Sequence, residues 1–150
     1  QASEFVKYSI VGHSERRKYF GEKDEDVVEK IKQLVKIKIT PILCISNMKQ
    51  LDYFATQEVI LNNYSDIVFV YEPPSAISGG EEYHPEDPKV GDENAGEISR
   101  KLGKKVNTLY GGSINAQNAA SFFSQENIDG GLVGQASLDP FEFSAIIKQC

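Results

Sequence analysis

A short polar run near the start of the chain combines side chains that often perform acid–base chemistry. Residues 12–17 read Gly-His-Ser-Glu-Arg-Arg and directly follow a strand-like segment, residues 7–11. The imidazole of His13 can donate or accept a proton near neutral pH, and the carboxylate of Glu15 can orient the ring or stabilise its charged form. Although a lone histidine is more often structural, this position makes His13 a candidate for a catalytic site, with the carboxylate of Glu15 two residues further on.

A second carboxylate occupies a similar position further along the chain. Glu72 ends the strand-like run Asp-Ile-Val-Phe-Val-Tyr and precedes a proline, which directs the chain out of a sheet. If both strands belong to one parallel sheet, His13 and Glu72 lie at the same edge, where a base and an electrophile can face one cavity. The structural alternative is an ion pair between Glu72 and Arg16 or Arg17. Otherwise, the two arginines are expected to tie down neighbouring loops.

Two glycine-containing segments in the second half of the chain suit the binding of an anion. Residues 111–113 read Gly-Gly-Ser and residues 134–137 read Gly-Gln-Ala-Ser, each between a strand-like and a helix-like segment. Small residues leave backbone N–H groups accessible where a helix begins, and such groups bind phosphate. In a barrel, the loops after the last two strands are the usual phosphate site. One Gly-Gly pair marks any tight turn, but the two segments together favour phosphate binding.

The elements that must position these residues alternate between strand and helix along the whole chain. Five strand–helix units of this kind indicate an α/β fold with a parallel sheet and right-handed crossovers. The predicted strands cover residues 7–11, 40–45, 66–71, 105–110 and 130–133. The predicted helices cover residues 24–39, 51–60, 93–102, 115–123 and 139–149. Periodicity alone does not choose between a doubly wound sheet and a closed barrel, and the turn-rich residues 73–91 predict a functional lid or a disordered insert.

Length, charge and composition restrict the class of protein. The 150 residues predict a single domain over residues 1–150, and a formal charge of -6 argues against a nucleic-acid surface or a polybasic membrane patch. We therefore expect a small-molecule partner. Without an apolar run of about 20 residues or a signal-peptide pattern, a cytoplasmic location is expected. Cys44 and Cys150 predict free thiols, and the sequence predicts neither a metal site nor a cofactor.

Four segments, in order, resemble the signature segments of the triosephosphate isomerase family. They are residues 8–17 (YSIVGHSERR), residues 71–73 with 76–77 (YEP and AI), residues 109–113 (LYGGS) and residues 132–138 (LVGQASL). The resemblance covers nearly the whole chain. It implies a partial (β/α)8 TIM barrel, in which five parallel strand–helix units correspond to strands 4 to 8 of the family's eight.

The resemblance also implies an activity and a role for each candidate residue. The family interconverts glyceraldehyde 3-phosphate and dihydroxyacetone phosphate, in glycolysis and gluconeogenesis, through an enediolate and without a cofactor. By motif, Glu72 matches the base, His13 the electrophile, and Glu15 the carboxylate beside that histidine. The backbone N–H groups implied for the substrate phosphate belong to Ser78, Ser113, Gly134 and Gln135. Closure of residues 73–80 would keep water from the enediolate.

The sequence also departs from the family pattern. The family carries an essential lysine and a neighbouring asparagine at the end of its first strand, in a segment with no counterpart here. The lysine stabilises the charge of the enediolate, an electrostatic effect worth several kcal/mol in enzymes of this kind. Residues 75–80 read SAISGG where the family has WAIGTG, and Gln135 replaces the second glycine of a Gly-Gly pair.

Five strands cannot close with the tilt and shear of eight, so two sheet edges and an apolar inner face are expected to be open. We therefore expect a homo-oligomer or pairing with an N-terminal fragment. Two alternatives to the isomerase remain. One is a catalytically silent phosphate-binding remnant, and the other is a barrel fragment that self-associates through its edges.

Overall fold

The computed structural model describes residues 5–73 and 85–150. The strands of the described part are Tyr8–Val11 (β1), Thr40–Ile45 (β2), Val68–Tyr71 (β3), Thr108–Tyr110 (β4) and Gly130–Gly131 (β5). The helices are Ser14–Phe20 (α1), Asp24–Lys36 (α2), Met48–Phe54 (α3), Glu58–Asn63 (α4), Pro88–Leu102 (α5), Ala119–Phe123 (α6) and Pro140–Ile147 (α7). Within the described residues, 3-10 turns cover Tyr64–Asp66 and Gln135–Leu138.

The five strands form one parallel sheet whose spatial order follows the chain, β1-β2-β3-β4-β5. A doubly wound sheet reverses its strand order at a switch point, whereas a barrel adds each strand beside the previous one. The sequential order therefore resolves the alternative that periodicity left open. It confirms the predicted α/β fold with five parallel strand–helix units of a partial TIM barrel.

The core lies between the sheet and the helices that cover one of its faces. On β2 and β3, alternate residues point toward the helices, as the period of two requires. The strand residues Leu43, Ile45, Phe69 and Tyr71 join the helix residues Ile31, Leu51, Phe54, Ile98 and Phe122 in one buried cluster. Burial of so many apolar side chains supplies the main stabilising free energy of the fold.

Each predicted strand and helix has a counterpart in the structure, but several boundaries differ. β2 coincides with its prediction, while the predicted helix over residues 51–60 is divided into α3 and α4. At the break, the hydroxyl of Thr56 donates to the carbonyl of Tyr53 at 2.7 Å, a local bond that competes with helix continuation. The predicted loop over residues 73–91 was too long at its end, because α5 begins at Pro88.

Two helix starts illustrate why local signals matter. The side chain of Asp87 accepts a hydrogen bond from the N–H of Lys89 at 2.9 Å, and Pro88 occupies the first turn of α5, a favourable N-cap followed by proline. Helix α1 lies outside the prediction because its sequence, residues 14–20, has no apolar stripe, and accordingly none of its residues is buried.

The first strand forms one edge of the described sheet and is only partly covered. Tyr8 and Ile10 are 57% and 47% exposed, whereas Val11, on the opposite face, is 4% exposed and joins the core. Since Ile10 pairs with Ile42 of β2, the exposed side chains belong to the sheet face that points away from the helices. This open apolar face agrees with the expectation for five strands.

Candidate active site

His13 is positioned by the turn between β1 and α1. Gly12 has a φ of 73°, a left-handed conformation that glycine adopts without strain. His13 then forms the N-cap of α1, and its Nδ1 accepts a hydrogen bond from the N–H of Glu15 at 3.3 Å. Because Nδ1 acts as an acceptor, the proton of the neutral imidazole resides on Nε2, the nitrogen that points into the site.

Glu72 is positioned by the end of β3 and by both neighbouring strands. Its N–H donates to the carbonyl of Ile45 at 2.9 Å, which continues the ladder with β2. On the other side, a Cβ added to Gly111 would lie 3.0 Å from Cγ of Glu72 and 2.6 Å from Cγ1 of Val70. The absence of a side chain at Gly111 therefore makes room for Glu72, which is 1% exposed.

The structure brings His13 and Glu72 into direct contact. Nε2 of His13 lies 2.9 Å from Oε1 of Glu72, and the N–H of Ser14 donates to Oε2 at 3.1 Å. Both carboxylate oxygens are thus hydrogen-bonded, which a buried carboxylate requires. The hydrogen bond to Glu72 raises the pKa of His13 above its ordinary value, against the opposing effect of burial. An acid–base pair of this kind can exchange protons with a substrate that binds beside it.

Glu15 lies near His13 but touches it mainly through its backbone. Its side chain is 58% exposed, and its carboxylate Oε2 lies 4.0 Å from Nδ1 of His13. That charge raises the pKa of His13, but less than the hydrogen bond to Glu72 and the charge of Glu72 do, while burial lowers it. Glu15 therefore orients the imidazole through its N–H and acts on it electrostatically through its carboxylate.

The two arginines that follow Glu15 in the sequence bind other carboxylates. Nε of Arg16 donates to Glu22 at 2.8 Å, and Nη1 of Arg17 donates to Asp24 at 2.6 Å. The alternative in which Glu72 pairs with an arginine is therefore wrong. The prediction that the arginines tie down neighbouring loops is confirmed, because they connect α1 to the segment that leads into α2.

The residues predicted to bind phosphate follow the ends of the last two strands. β4 and β5 are neighbours in the sheet, so the segments that contain Ser113 and Gly134 leave the sheet side by side. The carbonyl of Ser113 accepts a hydrogen bond from Nδ2 of Asn118 at 3.0 Å. Gly134 and Gln135 are exposed, and Gln135 begins a 3-10 turn. Ser78 and the loop histidine His84 lie outside the described residues, as does all but the first residue of the segment 73–80, whose closure is predicted.

Some residues of the site had no prediction from sequence. The N–H of Ser14 belongs to the first turn of α1, where donors are left over by the helix, so a prediction of α1 would have revealed it. Glu22 accepts a hydrogen bond from the N–H of Gly12 at 3.2 Å, a contact that no local sequence pattern indicates.

Cys44 is a buried free thiol, as predicted. Burial and the Glu72 carboxylate raise the pKa of this thiol, and the charge of Arg17 opposes that rise.

Neither a metal-binding cluster nor a membrane-spanning helix occurs in the described part of the chain. Within residues 5–73 and 85–150, no group of three or more His, Cys, Asp and Glu side chains is arranged to hold a metal ion. Within the same ranges, no helix combines the length and apolar character that a membrane span requires.

Comparisons with known proteins agree with the geometry. The sequence model of the family described as "Triosephosphate isomerase" matches residues 2–150. The protein named "Triosephosphate isomerase" from Mesomycoplasma hyopneumoniae (strain 7448) is 37% identical over 152 residues, which cover 95% of this chain and 62% of that protein. The protein of the same name from Francisella tularensis subsp. mediasiatica (strain FSC147) is 38% identical over 159 residues, covering 95% of this chain and 63% of that relative. The chain thus spans a little over three fifths of the length of these relatives.

Proposed function

Because the chain belongs to the triosephosphate isomerase family, we propose that it interconverts glyceraldehyde 3-phosphate and dihydroxyacetone phosphate. The observation that carries this proposal is the contact between Nε2 of His13 and Oε1 of Glu72, 2.9 Å, at the carboxyl ends of β1 and β3. This edge of a parallel barrel sheet is where the active sites of such folds lie.

In the proposed reaction, Glu72 is the base. Its carboxylate removes the proton from the carbon next to the carbonyl, and the electron pair of that C–H bond moves to form the enediolate. The protonated Glu72 then returns the proton to the neighbouring carbon, so that the base is regenerated and no other reactant is consumed. Burial of Glu72 supports this role, because bulk water does not compete for the proton.

His13 is proposed to handle the oxygen atoms of the substrate. Its Nε2–H can donate a hydrogen bond to the developing enediolate oxygen and move a proton between the two oxygens. This role is supported by the N–H of Glu15, which occupies Nδ1 and directs the protonated nitrogen toward Glu72. The phosphate of the substrate is proposed to bind the N–H groups of Ser113, Gly134 and Gln135, together with Ser78.

A second candidate function is phosphate binding without turnover. It is favoured by the position of His13 directly after β1, the edge strand of the described sheet, where Tyr8 and Ile10 are 57% and 47% exposed. A site that is open on one side loses the exclusion of water on which stabilisation of an enediolate depends.

For partners, we propose that the open sheet associates with a second copy of the chain or with an N-terminal fragment. The support is the exposed apolar surface at both ends of the sheet. It comprises Tyr8 and Ile10 of β1 at one end and Leu138, Phe141 and Ile147 in and beside α7 at the other, with exposed fractions between 47% and 85%.

The test is isomerisation of glyceraldehyde 3-phosphate by the purified 150-residue chain. The comparison variants are Glu72→Gln, which removes the base but keeps its shape, and Glu29→Gln, the same change at a side chain that is 63% exposed. We expect turnover in the wild type and in Glu29→Gln, and a loss of about 10²–10⁴-fold in Glu72→Gln.

Equal turnover in Glu72→Gln and Glu29→Gln would refute the assignment of the base. If no form turns over, binding of a phosphorylated two-carbon acid, which has the shape of the enediolate, separates the remaining candidates. Binding without turnover indicates the phosphate-binding remnant. Absence of binding leaves the self-associating barrel fragment.

A further inference from the structure

We propose that Arg17 and Glu22 are positioning residues that clamp the two sides of Gly12 and thereby hold His13 against Glu72. The consequence of this clamp for catalysis rests on the proposed function, in which His13 must meet the substrate in one orientation.

The clamp is formed by two hydrogen bonds to one residue. Oε2 of Glu22 accepts from the N–H of Gly12 at 3.2 Å, and Nε of Arg17 donates to the carbonyl of Gly12 at 2.8 Å. Gly12 is buried, and buried backbone groups require hydrogen-bond partners. Here charged side chains supply those partners, at the point where the chain leaves β1.

Each member of the clamp is itself anchored toward α2. The second oxygen of Glu22, Oε1, accepts hydrogen bonds from Nε of Arg16 at 2.8 Å and from Nζ of Lys30. The Glu22 side chain is only 3% exposed. Burial raises the pKa of Glu22, but the hydrogen bonds from Arg16 and Lys30 outweigh this effect and lower the pKa overall. Glu22 is thus kept ionised, which strengthens its bond to the N–H of Gly12.

Arg17 is anchored in the same direction. Its Nη1 donates to Asp24, the first residue of α2, at 2.6 Å, and its side chain is 16% exposed. Because α2 packs on the sheet through Val28 and Ile31, the guanidinium is fixed relative to the core. One planar side chain therefore joins the carbonyl of Gly12 to a helix that cannot move independently of the sheet.

The conformation of Gly12 determines where the imidazole points. Gly12 directly precedes His13 and has a φ of 73°, so a rotation about its backbone swings the whole residue that follows. The contact between His13 and Glu72 is 2.9 Å, and hydrogen bonds weaken steeply once the distance or the angle departs from its optimum. Loosening of the clamp is therefore expected to weaken this contact before it unfolds the chain.

The test uses conservative variants of both clamp residues. Arg17→Lys keeps a cation near Asp24, but an ammonium cannot reproduce the fork that bonds Gly12 and Asp24 at once. Glu22→Gln keeps an acceptor oxygen and removes the charge. The matched controls are Arg100→Lys and Glu29→Gln, whose wild-type side chains are 62% and 63% exposed and lie in ion pairs on the helix surfaces.

The readout is the imidazole of His13 in ¹⁵N-labelled protein, followed by NMR against pH. The chain has two histidines, so a His84→Gln background leaves a single imidazole. The charges that act on the His13 pKa are those of Glu72 and Glu15, neither of which is changed. Arg17→Lys also preserves net charge, so a shift in that variant reports a change of position.

We expect both clamp variants to remain folded, with a His13 pKa that falls toward its ordinary value and with loss of the Nε2 proton signal through exchange with water. Both controls should match the wild type. A role confined to stability would lower the melting temperature and leave the His13 titration of the folded protein unchanged.

Folded clamp variants whose His13 pKa and Nε2 proton match those of the controls would overturn the proposal. Should Glu22→Gln fail to fold, Arg17→Lys decides by the same criterion. The measurement needs no turnover, so a negative result here is distinguishable from a failure of the proposed isomerase activity. In a chain that does turn over, the same variants should lower kcat more than they raise KM, because the residues proposed to bind the substrate phosphate are not part of the clamp.

Discussion

Nε2 of His13 lies 2.9 Å from Oε1 of Glu72, although the strands that carry them, β1 and β3, are separated in the sheet by β2. The contact therefore spans the end of an intervening strand. Glu72 is 1% exposed, and its second carboxylate oxygen accepts a hydrogen bond from the N–H of Ser14 at 3.1 Å. This pair is the structural basis of the proposed reaction.

The raised pKa of His13 predicts a pH-dependent contribution to stability. A group whose pKa is higher in the folded than in the unfolded state contributes its full stabilisation of the fold at pH values below the unfolded pKa, here about 6.5. This stabilisation is lost as the pH rises through the pKa of the folded state. We expect the coupling between His13 and Glu72 to be larger at about pH 6 than at about pH 9. A double-mutant cycle with His13→Gln and Glu72→Gln, measured by thermal unfolding at both pH values, checks this. A coupling independent of pH would contradict it.

Gly111→Ala is expected to disturb the site through steric crowding. The new methyl group would lie 2.6 Å from Cγ1 of Val70 and 3.0 Å from Cγ of Glu72, so the strand end must shift. We expect a loss of about 1–3 kcal/mol in the free energy of unfolding, measured in urea, with a changed His13 titration. The control is Gly103→Ala, where a methyl group meets nothing within 4 Å but the φ of 67° causes backbone strain. An unchanged His13 titration in Gly111→Ala would exclude the crowding explanation.

Tyr71→Phe is expected to destabilise the segment that leads into α5. The hydroxyl of Tyr71 accepts from Nδ2 of Asn94 at 3.0 Å and donates to Oε1 of Glu86 at 3.4 Å. Burial and the charge of Glu86 raise the pKa of Tyr71 to about 12, so the hydroxyl remains a donor at neutral pH. We expect a loss of about 0.5–1.5 kcal/mol in the free energy of unfolding.

This effect of Tyr71→Phe should depend on pH. Burial raises the pKa of Glu86, and the hydrogen bond from Tyr71 opposes that rise by stabilising the ionised form. The loss should therefore be larger at about pH 8, where Glu86 is more fully ionised, than near pH 4, where it is more fully protonated. Tyr19→Phe, at a side chain 61% exposed, serves as the control and should change stability little. An equal loss at both pH values would show that the Glu86 contact does not contribute.

The proposed association of copies is tested on the open face of β1. Ile10→Glu places a charge on this face, whereas Ile37→Glu places it just past the end of α2; both side chains are 47% exposed. We expect the wild type and Ile37→Glu to sediment as oligomers and Ile10→Glu to dissociate, because a charge at an apolar interface is strongly unfavourable. A monomeric wild type, or equal dissociation of both variants, would contradict association through β1.

Local sequence determined those features that an apolar run or a hydrogen bond between near neighbours specifies. The apolar run over Thr40–Ile45 predicts β2 with its observed boundaries, and Asp139 before a proline marks the start of α7, where it accepts from the N–H of Phe141 at 2.8 Å. The polar residues after β1 and β3 were also predictable, since parallel strands bring their carboxyl ends to one edge. For this reason the amino-acid sequence alone makes His13 and Glu72 candidates for one site.

Tertiary structure decided the order of the strands and the contacts between their ends. Parallel partners are joined by long crossovers, so their register is set by helix packing rather than by propensity. The predicted strand over residues 130–133 accordingly narrows to Gly130–Gly131, the residues that pair with Leu109 and Tyr110. The space beside Glu72 left by Gly111, and the bonds of Arg17 and Glu22 to Gly12, depend in the same way on segments that only folding brings together.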